Sequence, residues 1–259
     1  MKKSETAKPA YAGPRSPVRV MQIVETLAGA PQGLSLAQLA VQLRIPKTSL
    51  LTHLRVMLGT GYVALRDARY VLGPAMIRLG LVIAAGSSVL ATVGPVARQL
   101  ADESGETTLC AMLDENARVA VYIKVLEGRQ PIRYSPAVGA RRPLYCTAIG
   151  RALLAFQDEA FRRAYLADGK FTRFNARTVT DRARLAKLLG AVRSVRLAVT
   201  VGEHTDDVGA IASPIVEAQG RVRYAIGLAV PATRLLPARE RLGKLVRAAA
   251  ERASWALGA

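Results

Sequence analysis

The sequence is poor in the residues from which metal sites and disulfide frameworks are built. Its 259 residues include two cysteines, Cys110 and Cys146, and two histidines. Two cysteines cannot form the set of crosslinks that a disulfide-stabilised scaffold needs, and together with two histidines they argue against a Cys/His zinc site. We therefore expect no metal and no other cofactor, and a reducing cytoplasm as the compartment.

Long apolar runs are also missing. No stretch of about 18 residues is both apolar and free of charge, so no transmembrane helix and no membrane partner are expected. The first residues, MKKSETAKPAYAGPRSP, are basic but lead into no apolar run, which is unlike a secretory signal peptide. Their content of Pro, Gly, Ser and Lys predicts a disordered basic arm over residues 1–16.

Acidic residues are scarce relative to basic ones. The chain has 37 Lys and Arg against 19 Asp and Glu, a formal charge of +18. Half of the residues are hydrophobic, at 51%, so a chain of this length can bury the cores of two domains. A surplus of cations favours a polyanionic partner, because binding to phosphates releases counterions. A basic composition that serves solubility alone is the alternative.

Three helix patterns occupy the first sixty residues. An apolar stripe with helical spacing predicts a helix over residues 17–28. Ser35 and Gln38 have the spacing of a capping box, which predicts the start of a second short helix. Pro46 suits the first turn of a third helix, and Gly59 suits its end.

A β-hairpin pattern follows the third helix, with strands at residues 62–65 and 69–72 and a turn at 66–68. Three helices and a hairpin predict a winged helix-turn-helix domain over residues 17–73. The exposed face of the third helix has no acid, and its side chains suit phosphates and base edges in the major groove. The candidate DNA contacts on that helix are Lys47, Thr48, Ser49, Thr52 and Arg55. Ser35 on the second helix and Arg66 and Arg69 on the hairpin complete the set. A helical subdomain that serves only oligomerisation is the alternative.

The remainder of the chain predicts a linker and a second domain. Residues 74–87 form an apolar pattern with one charge and predict a linker helix, and residues 88–259 predict an α+β domain on an antiparallel sheet. The expected helices are 89–103, 147–156, 158–166, 181–194 and 237–257. The expected strands are 107–113, 118–126, 132–135, 197–201, 208–216 and 223–230.

Several segments of the sequence resemble those of one family. PQGLSLAQLAVQLRIPKTSLLTHL, GTGYV and YVLGPAMIRLG resemble the DNA-binding region of IclR-type bacterial transcription regulators. SGETTLCAMLD, GARRPLYCTAIGRALLA and the pairing of IASPI with GLAVPATRL are similar to the effector-binding domain of that family, which has a GAF-like fold. The resemblance covers about residues 17–236. One departure is Thr52, where the family often has Arg.

The resemblance implies a ligand-responsive regulator. The expected partners are a double-stranded DNA operator, a small organic acid as effector, and further copies of the chain in a homodimer or homotetramer. The effector is expected at the start of a helix, where backbone N–H groups bind a carboxylate without a cation. The positions implied there are Cys146, Thr147, Ala148 and Ile149, and small residues at 148 and 150 would let the ligand approach the backbone. The alternative is that Thr147 only caps the helix.

The resemblance also implies pocket positions on the strands, at Thr200, Val208, Ala210, Gly227 and Ala229. Strand alternation adds Leu109, Ala111 and Tyr122 to the predicted wall. Relatives that bind small keto acids tend to have Asp, Cys and Ser where this chain has Thr200, Ala210 and Gly227 or Ala229. That difference predicts a roomier and less polar pocket, which favours an aromatic carboxylate. Arg141 or Arg142 is an alternative carboxylate partner.

Two other classes of function are weighed against this one. Cys146 and His204 could form a thiol–imidazole pair oriented by Asp206 or Asp207. The sequence has no P-loop, G-x-G-x-x-G, G-x-S-x-G or HExxH motif, so we expect no enzyme. An architectural DNA-binding protein would also use the positive charge, but would leave a long apolar second domain without a role.

Overall fold

The structure is a computed structural model. It describes residues 15–86 and 88–259. The chain separates into two compact units that divide between Gly86 and Ser87. Most of the predicted basic arm lies outside the described residues. Its last two residues, Arg15 and Ser16, are already helical, so the first helix begins two residues earlier than the sequence pattern predicts.

The N-terminal unit is a winged helix-turn-helix, as predicted. Its elements are α1 (Arg15–Ala28), α2 (Leu36–Leu43), α3 (Lys47–Gly59), β1 (Val63–Arg66), β2 (Arg69–Leu72) and α4 (Pro74–Gly86). The apolar stripe of α1 packs on α2, α3 and the hairpin, and the centre of this core includes Ile23, Leu39, Leu50 and Leu54, all with no exposed surface. The antiparallel β1–β2 hairpin forms the wing.

The α2–α3 connection has the caps that the sequence predicts. The Ser35 side chain accepts a hydrogen bond from the Gln38 N–H at 3.3 Å, and Gln38 Oε1 accepts from the Ser35 N–H at 2.9 Å. Arg44 ends α2 in the left-handed conformation, at φ 54°. Pro46 lies one position before α3 rather than inside its first turn. These local signals fix the short turn that orients α3.

The turn of the wing places a non-glycine residue in a costly conformation. Asp67 and Ala68 have φ of 47° and 58°, the pair of positive angles that a type I′ turn requires and that favours glycine at its second position. The left-handed conformation costs an alanine residue about 1–2 kcal/mol. A glycine residue there has only a smaller entropic cost on folding.

Ala68→Gly is therefore expected to stabilise the hairpin by about 0.5–1 kcal/mol. Hydrogen exchange of the β1 and β2 amides in the full chain measures this free energy. Ala37→Gly, at an exposed position of α2, is the matched control and should destabilise its helix by about 1 kcal/mol. Faster exchange in the Ala68→Gly variant would contradict the strain argument.

The C-terminal unit is a six-stranded antiparallel sheet covered by helices on both faces. Its strands are β3 (Thr107–Asp114), β4 (Val119–Leu126), β5 (Arg141–Pro143), β6 (Ala198–Val201), β7 (Val208–Ile215) and β8 (Tyr224–Pro231). Its helices are α5 (Ser88–Ser104), α6 (Ala148–Ala155), α7 (Glu159–Asp168), α8 (Arg182–Val195) and α9 (Ala232–Ala256). The strand order is β5-β4-β3-β8-β7-β6. One core joins the sheet to α6, α7 and α8, and the other joins it to α5 and α9.

The register of the central strands brings distant residues together. Ala210 of β7 lies opposite Thr200 of β6 on one side and opposite Ala229 of β8 on the other. In the neighbouring pair, Leu109 of β3 lies opposite Gly227 of β8. These residues therefore form one continuous area of the sheet, although they span more than a hundred positions of the sequence.

The strand predicted at residues 132–135 is wrong. That segment forms no strand, and the strand beside β4 is instead Arg141–Pro143. Pro131 and Pro136 flank the predicted strand, and proline has no N–H to donate to a ladder. Side chains hold the segment in place of a ladder, since Ser135 Oγ donates to Glu127 Oε1 at 2.8 Å.

The predicted start of the last helix is also wrong. Helix α9 begins at Ala232, and Pro237 lies inside it. Tertiary contacts hold the extra turn, because Leu235 is fully buried and Arg234 makes two hydrogen bonds of 2.8 Å to the Glu106 carboxylate. The missing N–H of Pro237 costs one hydrogen bond near the helix start, and these contacts offset it.

Candidate functional site

The exposed face of α3 carries most of the predicted DNA contacts. Lys47, Thr48, Thr52 and Arg55 are exposed, whereas Ser49 is half-buried. In the described part of the chain, neither Lys47 nor Arg55 has an ion-pair or hydrogen-bond partner in a side chain. Two cations on one exposed helix face are thus available to phosphates.

Other predicted contacts are engaged within the domain. Ser49 Oγ accepts a hydrogen bond from Arg19 at 3.1 Å, and Arg69 Nη1 donates to the Gly33 carbonyl at 3.2 Å. Thr52 Oγ1 donates to the Thr48 carbonyl at 3.1 Å. Arg19 is not among the predicted contacts, although a basic residue on the helix beside α3 is a signal that could identify it.

The predicted effector positions converge on one cavity in the C-terminal unit. Eleven of the twelve line it: Leu109, Tyr122, Cys146, Thr147, Ala148, Ile149, Thr200, Val208, Ala210, Gly227 and Ala229. The exception is Ala111, which is fully buried in the core beside α6 but outside the cavity wall. Strand alternation places Ala111 on the correct face, but too far along β3 to reach the cavity.

The start of α6 forms one wall of this cavity. Thr147 caps the helix, since its Oγ1 accepts from the Gly150 N–H at 3.1 Å and donates to the Pro143 carbonyl at 2.8 Å. Ala148 and Ile149 line the cavity, and no protein group in the described residues accepts a hydrogen bond from their N–H groups. Thr147 therefore caps the helix while two backbone donors stay available at its start.

Two glycines have roles other than those predicted. A Cβ on Gly150 would lie 2.5 Å from Leu144 Cα and 2.6 Å from the Pro143 carbonyl oxygen, so this glycine lets α6 pack on the turn before it. A Cβ on Gly227 would lie 2.4 Å from the Ile211 carbonyl oxygen. The space that Gly227 leaves is thus taken by β7 and does not enlarge the cavity.

The cavity is small, and its wall includes polar side chains that the sequence does not place there. Its volume is about 40 Å³, which is room for about three water molecules. Five residues that sequence reasoning did not place in the wall add polar groups to it: Tyr134, Arg142, Glu203, His204 and Thr205. The sequence predicts Arg142 only as an alternative carboxylate partner, and the other four residues lie in loops that carry no motif.

The polar side of the wall is organised around Arg142. Its Nη2 donates to Tyr134 Oη at 2.9 Å, and its Cζ lies 5.5 Å from the centroid of the Tyr122 ring. Burial, with a smaller contribution from the positive charge of Arg142, lowers the pKa of His204. Burial also raises the pKa of Tyr122 to about 12. His204 and Tyr122 are therefore neutral near pH 7.

A buried ion pair holds the loop that closes the cavity. Arg151 of α6 is 2% exposed and donates two hydrogen bonds, of 2.7 and 2.5 Å, to the carboxylate of Glu203. Arg151 Nε also donates to the Tyr145 carbonyl at 2.7 Å. Because Glu203 precedes His204 and Thr205, this pair fixes two wall residues against α6.

The cysteine in the cavity has the properties of a buried apolar side chain. Cys146 has no exposed surface, and burial raises the pKa of its thiol to about 12. A thiol at neutral pH is then a weak nucleophile. His204 Nδ1 lies 3.1 Å from Thr205 Oγ1, and the centroid of its ring lies 4.6 Å from that of Phe174. The ring therefore contacts these residues, and it forms no thiolate–imidazole pair with Cys146.

The fold defines a winged-helix DNA-binding protein with a second, cavity-containing domain, and comparison with known proteins gives its family. Residues 16–67 match the IclR helix-turn-helix domain, and residues 83–255 match the bacterial transcriptional regulator IclR C-terminal domain. The chain belongs to the IclR family of bacterial transcription regulators. It is a DNA-binding regulator and not an enzyme.

Three similar proteins illustrate the relationship. The chain is 30% identical over 220 residues to the "Probable transcriptional regulator SauR" of Cupriavidus necator, covering 84% of this chain and 86% of that one. An IclR transcriptional regulator from Alicyclobacillus acidocaldarius has 26% identity and a TM-score of 0.84, with 95% and 100% coverage. An IclR homologue from Microbacterium hydrocarbonoxydans, solved with 4-hydroxybenzoate, has 20% identity and a TM-score of 0.82, with 93% and 98% coverage.

Among the described residues, no helix combines the length and the apolar character that crossing a bilayer requires.

Proposed function

We propose that this regulator binds an operator through α3 and the wing and senses a small organic acid in the cavity beside α6. The observation that carries the proposal is the convergence of eleven predicted positions on one cavity, whose wall includes the start of α6. A helix start attracts a carboxylate through its free N–H groups and the helix dipole. The winged helix would bind the operator, and effector binding in the cavity would regulate that binding.

The proposed DNA contacts divide into two kinds. Lys47 and Arg55 on α3 would contact phosphates, as would Arg66 and Arg69 on the wing, and these contacts position the domain without specifying sequence. Thr48 and Thr52 are exposed on the same face of α3 and are the best placed to contact base edges. Ser49 supports this face through its bond to Arg19, and Ser35 lies at the start of α2.

Two observations bear on the size of the effector. The cavity volume of about 40 Å³ favours a small aliphatic acid unless wall side chains rotate. The 4-hydroxybenzoate of the Microbacterium homologue supports an aromatic acid. We therefore use pyruvate and 4-hydroxybenzoate as probes of the two sizes.

We also propose that the regulator acts as a homodimer or homotetramer. Exposed apolar side chains on α4 support self-association: Ile77, Leu79, Leu81, Val82 and Ile83. A monomer rarely leaves so many neighbouring apolar side chains in water. Two copies would also present two reading helices to a palindromic operator.

Filling the cavity tests the ligand site. We expect pyruvate or 4-hydroxybenzoate to raise the melting temperature of the full chain, because saturation at 100 Kd stabilises a protein by about 2.7 kcal/mol. Ala210→Leu adds a branched side chain at a half-buried wall position between β6 and β8, where the ligand would lie. This variant should fold and bind DNA but show no thermal shift.

The control is Ala186→Leu, at an exposed position of α8, which should keep the parental shift. If neither acid stabilises the parent, the sensing role is wrong for both sizes of acid. If Ala210→Leu and the parent show the same shift, the ligand binds outside this cavity.

A further inference from the structure

We propose that Arg142 recognises the negative charge of the effector, so that the cavity selects an acid over a neutral molecule of the same shape. The inference rests on the proposed sensing function and adds to it the residue that sets charge selectivity. The start of α6 offers backbone dipoles to any hydrogen-bond acceptor. Arg142 is the wall residue that supplies a full positive charge among the lining residues described above.

The hydrogen bonds of Arg142 leave donors unused. Its Nη1 donates to the Arg141 carbonyl and its Nη2 to Tyr134 Oη, each at 2.9 Å. Its Nε is shielded from solvent and has no acceptor in the described part of the chain. A guanidinium has five N–H donors in a planar fork. Nη1 and Nη2 each use one of their two N–H groups in these bonds, so one donor on each remains for a ligand that enters the cavity.

Among the described residues, no carboxylate forms an ion pair with Arg142. Both of its acceptors are neutral oxygens, and none of the ion pairs formed between described residues includes it. The carboxylate that lines the same cavity, Glu203, is committed to Arg151 through two hydrogen bonds. A partly buried cation without a counter-ion is costly, and a carboxylate ligand would reduce that cost by accepting hydrogen bonds from the unused N–H groups of Nη1 and Nη2.

The surroundings of Arg142 fix its position. The Tyr122 ring lies under the guanidinium, at 5.5 Å, and Tyr134 holds Nη2. The Thr147 hydroxyl donates a hydrogen bond to the carbonyl of Pro143, which is the residue after Arg142. This bond connects β5 to the start of α6. The start of α6 and the Arg142 side chain therefore line the same cavity and are joined through this bond.

Arg142→Met in the full chain tests the inference, because methionine keeps much of the length and removes the charge. Calorimetric titration with pyruvate and 4-hydroxybenzoate, and with their neutral amides pyruvamide and 4-hydroxybenzamide, gives the charge selectivity. The parent should prefer the acid, and the variant should bind that acid about 30-fold more weakly or worse. Its affinity for the matching amide should change less than about 3-fold.

Two controls separate recognition from structure. Arg141→Met removes the same charge at the exposed neighbouring position and should leave acid affinity unchanged. The melting temperature of ligand-free Arg142→Met should equal or exceed that of the parent, because an uncompensated cation is lost. A lower melting temperature with unchanged acid affinity would show that Arg142 is structural and would overturn the inference.

The remaining outcomes are also decisive. Equal acid affinity in the parent and in Arg142→Met overturns the role of Arg142 but leaves the sensing function intact. Binding of the amides as tightly as the acids by the parent overturns charge selectivity in the same way. If no acid binds the parent at all, the sensing function and this inference both fail.

Discussion

Replacing Glu203 with leucine is expected to destabilise the C-terminal unit by about 3–5 kcal/mol, the usual cost of leaving a buried charge without its partner. Arg151 is 2% exposed and directs two of its nitrogens at the Glu203 carboxylate. Without that carboxylate, the guanidinium keeps a single bond to the Tyr145 carbonyl. Urea unfolding of the full chain, followed by circular dichroism, measures the change in unfolding free energy.

An exposed ion pair is the control for this prediction. Glu159 pairs with Arg163 one turn away on α7, and both side chains are largely exposed. Glu159→Leu should cost less than about 1 kcal/mol, because surface pairs contribute little. The double variant Arg151→Met, Glu203→Leu should recover most of the stability, since a buried pair often exchanges with apolar residues at little cost. Equal effects of the two single variants would show that Glu203 is not a buried partner.

Replacing Lys47 and Arg55 together with alanine is expected to give the largest loss of DNA binding. Both residues are exposed on α3, and each phosphate contact contributes about 0.9 to the slope of log K against log salt. A dimer that uses the four proposed cations of each subunit makes about eight contacts, so its slope should be near −7. The double variant removes four of them, and the slope should become shallower by about 3.6.

The matched control changes one lysine and one arginine on a single helix elsewhere. Lys187 and Arg193 are exposed on α8, and Lys187→Ala, Arg193→Ala should leave the salt slope unchanged. The α3 variant should weaken binding to random-sequence DNA as well as to the operator, because phosphate contacts carry no sequence information. A parental slope shallower than −2 contradicts multi-contact DNA binding.

The winged helix could be predicted from the sequence because its signals are local. The capping box of Ser35 and Gln38 forms as expected, and the polar face of α3 is exposed as its pattern indicates. Each of these features depends on residues within one or two turns of each other. Strand alternation also placed Leu109 and Tyr122 in the cavity wall, whereas the resemblance to the family contributed the wall positions on β6, β7 and β8.

The rest of the site depends on contacts between distant segments. Arg151 and Glu203 are separated by 52 positions, and nothing near either residue indicates the pair. The Arg142–Tyr134 bond joins a strand to a segment whose pattern wrongly predicts a strand. The space beside Gly227 also depends on a separate segment, because β7 packs closely against β8 at this glycine. Side-chain volumes along one strand do not contain that information.

The measurement that tests the account most directly is operator affinity in the presence of the effector. The full chain would select its operator from a random DNA library, and the acid that raises its melting temperature would then be titrated into the complex. We expect saturating acid to change the operator affinity at least 5-fold, the lower range of measured couplings between sites, and Ala210→Leu to abolish the change. Failure to enrich any sequence, or an operator affinity that saturating acid leaves unchanged, would contradict a ligand-responsive regulator.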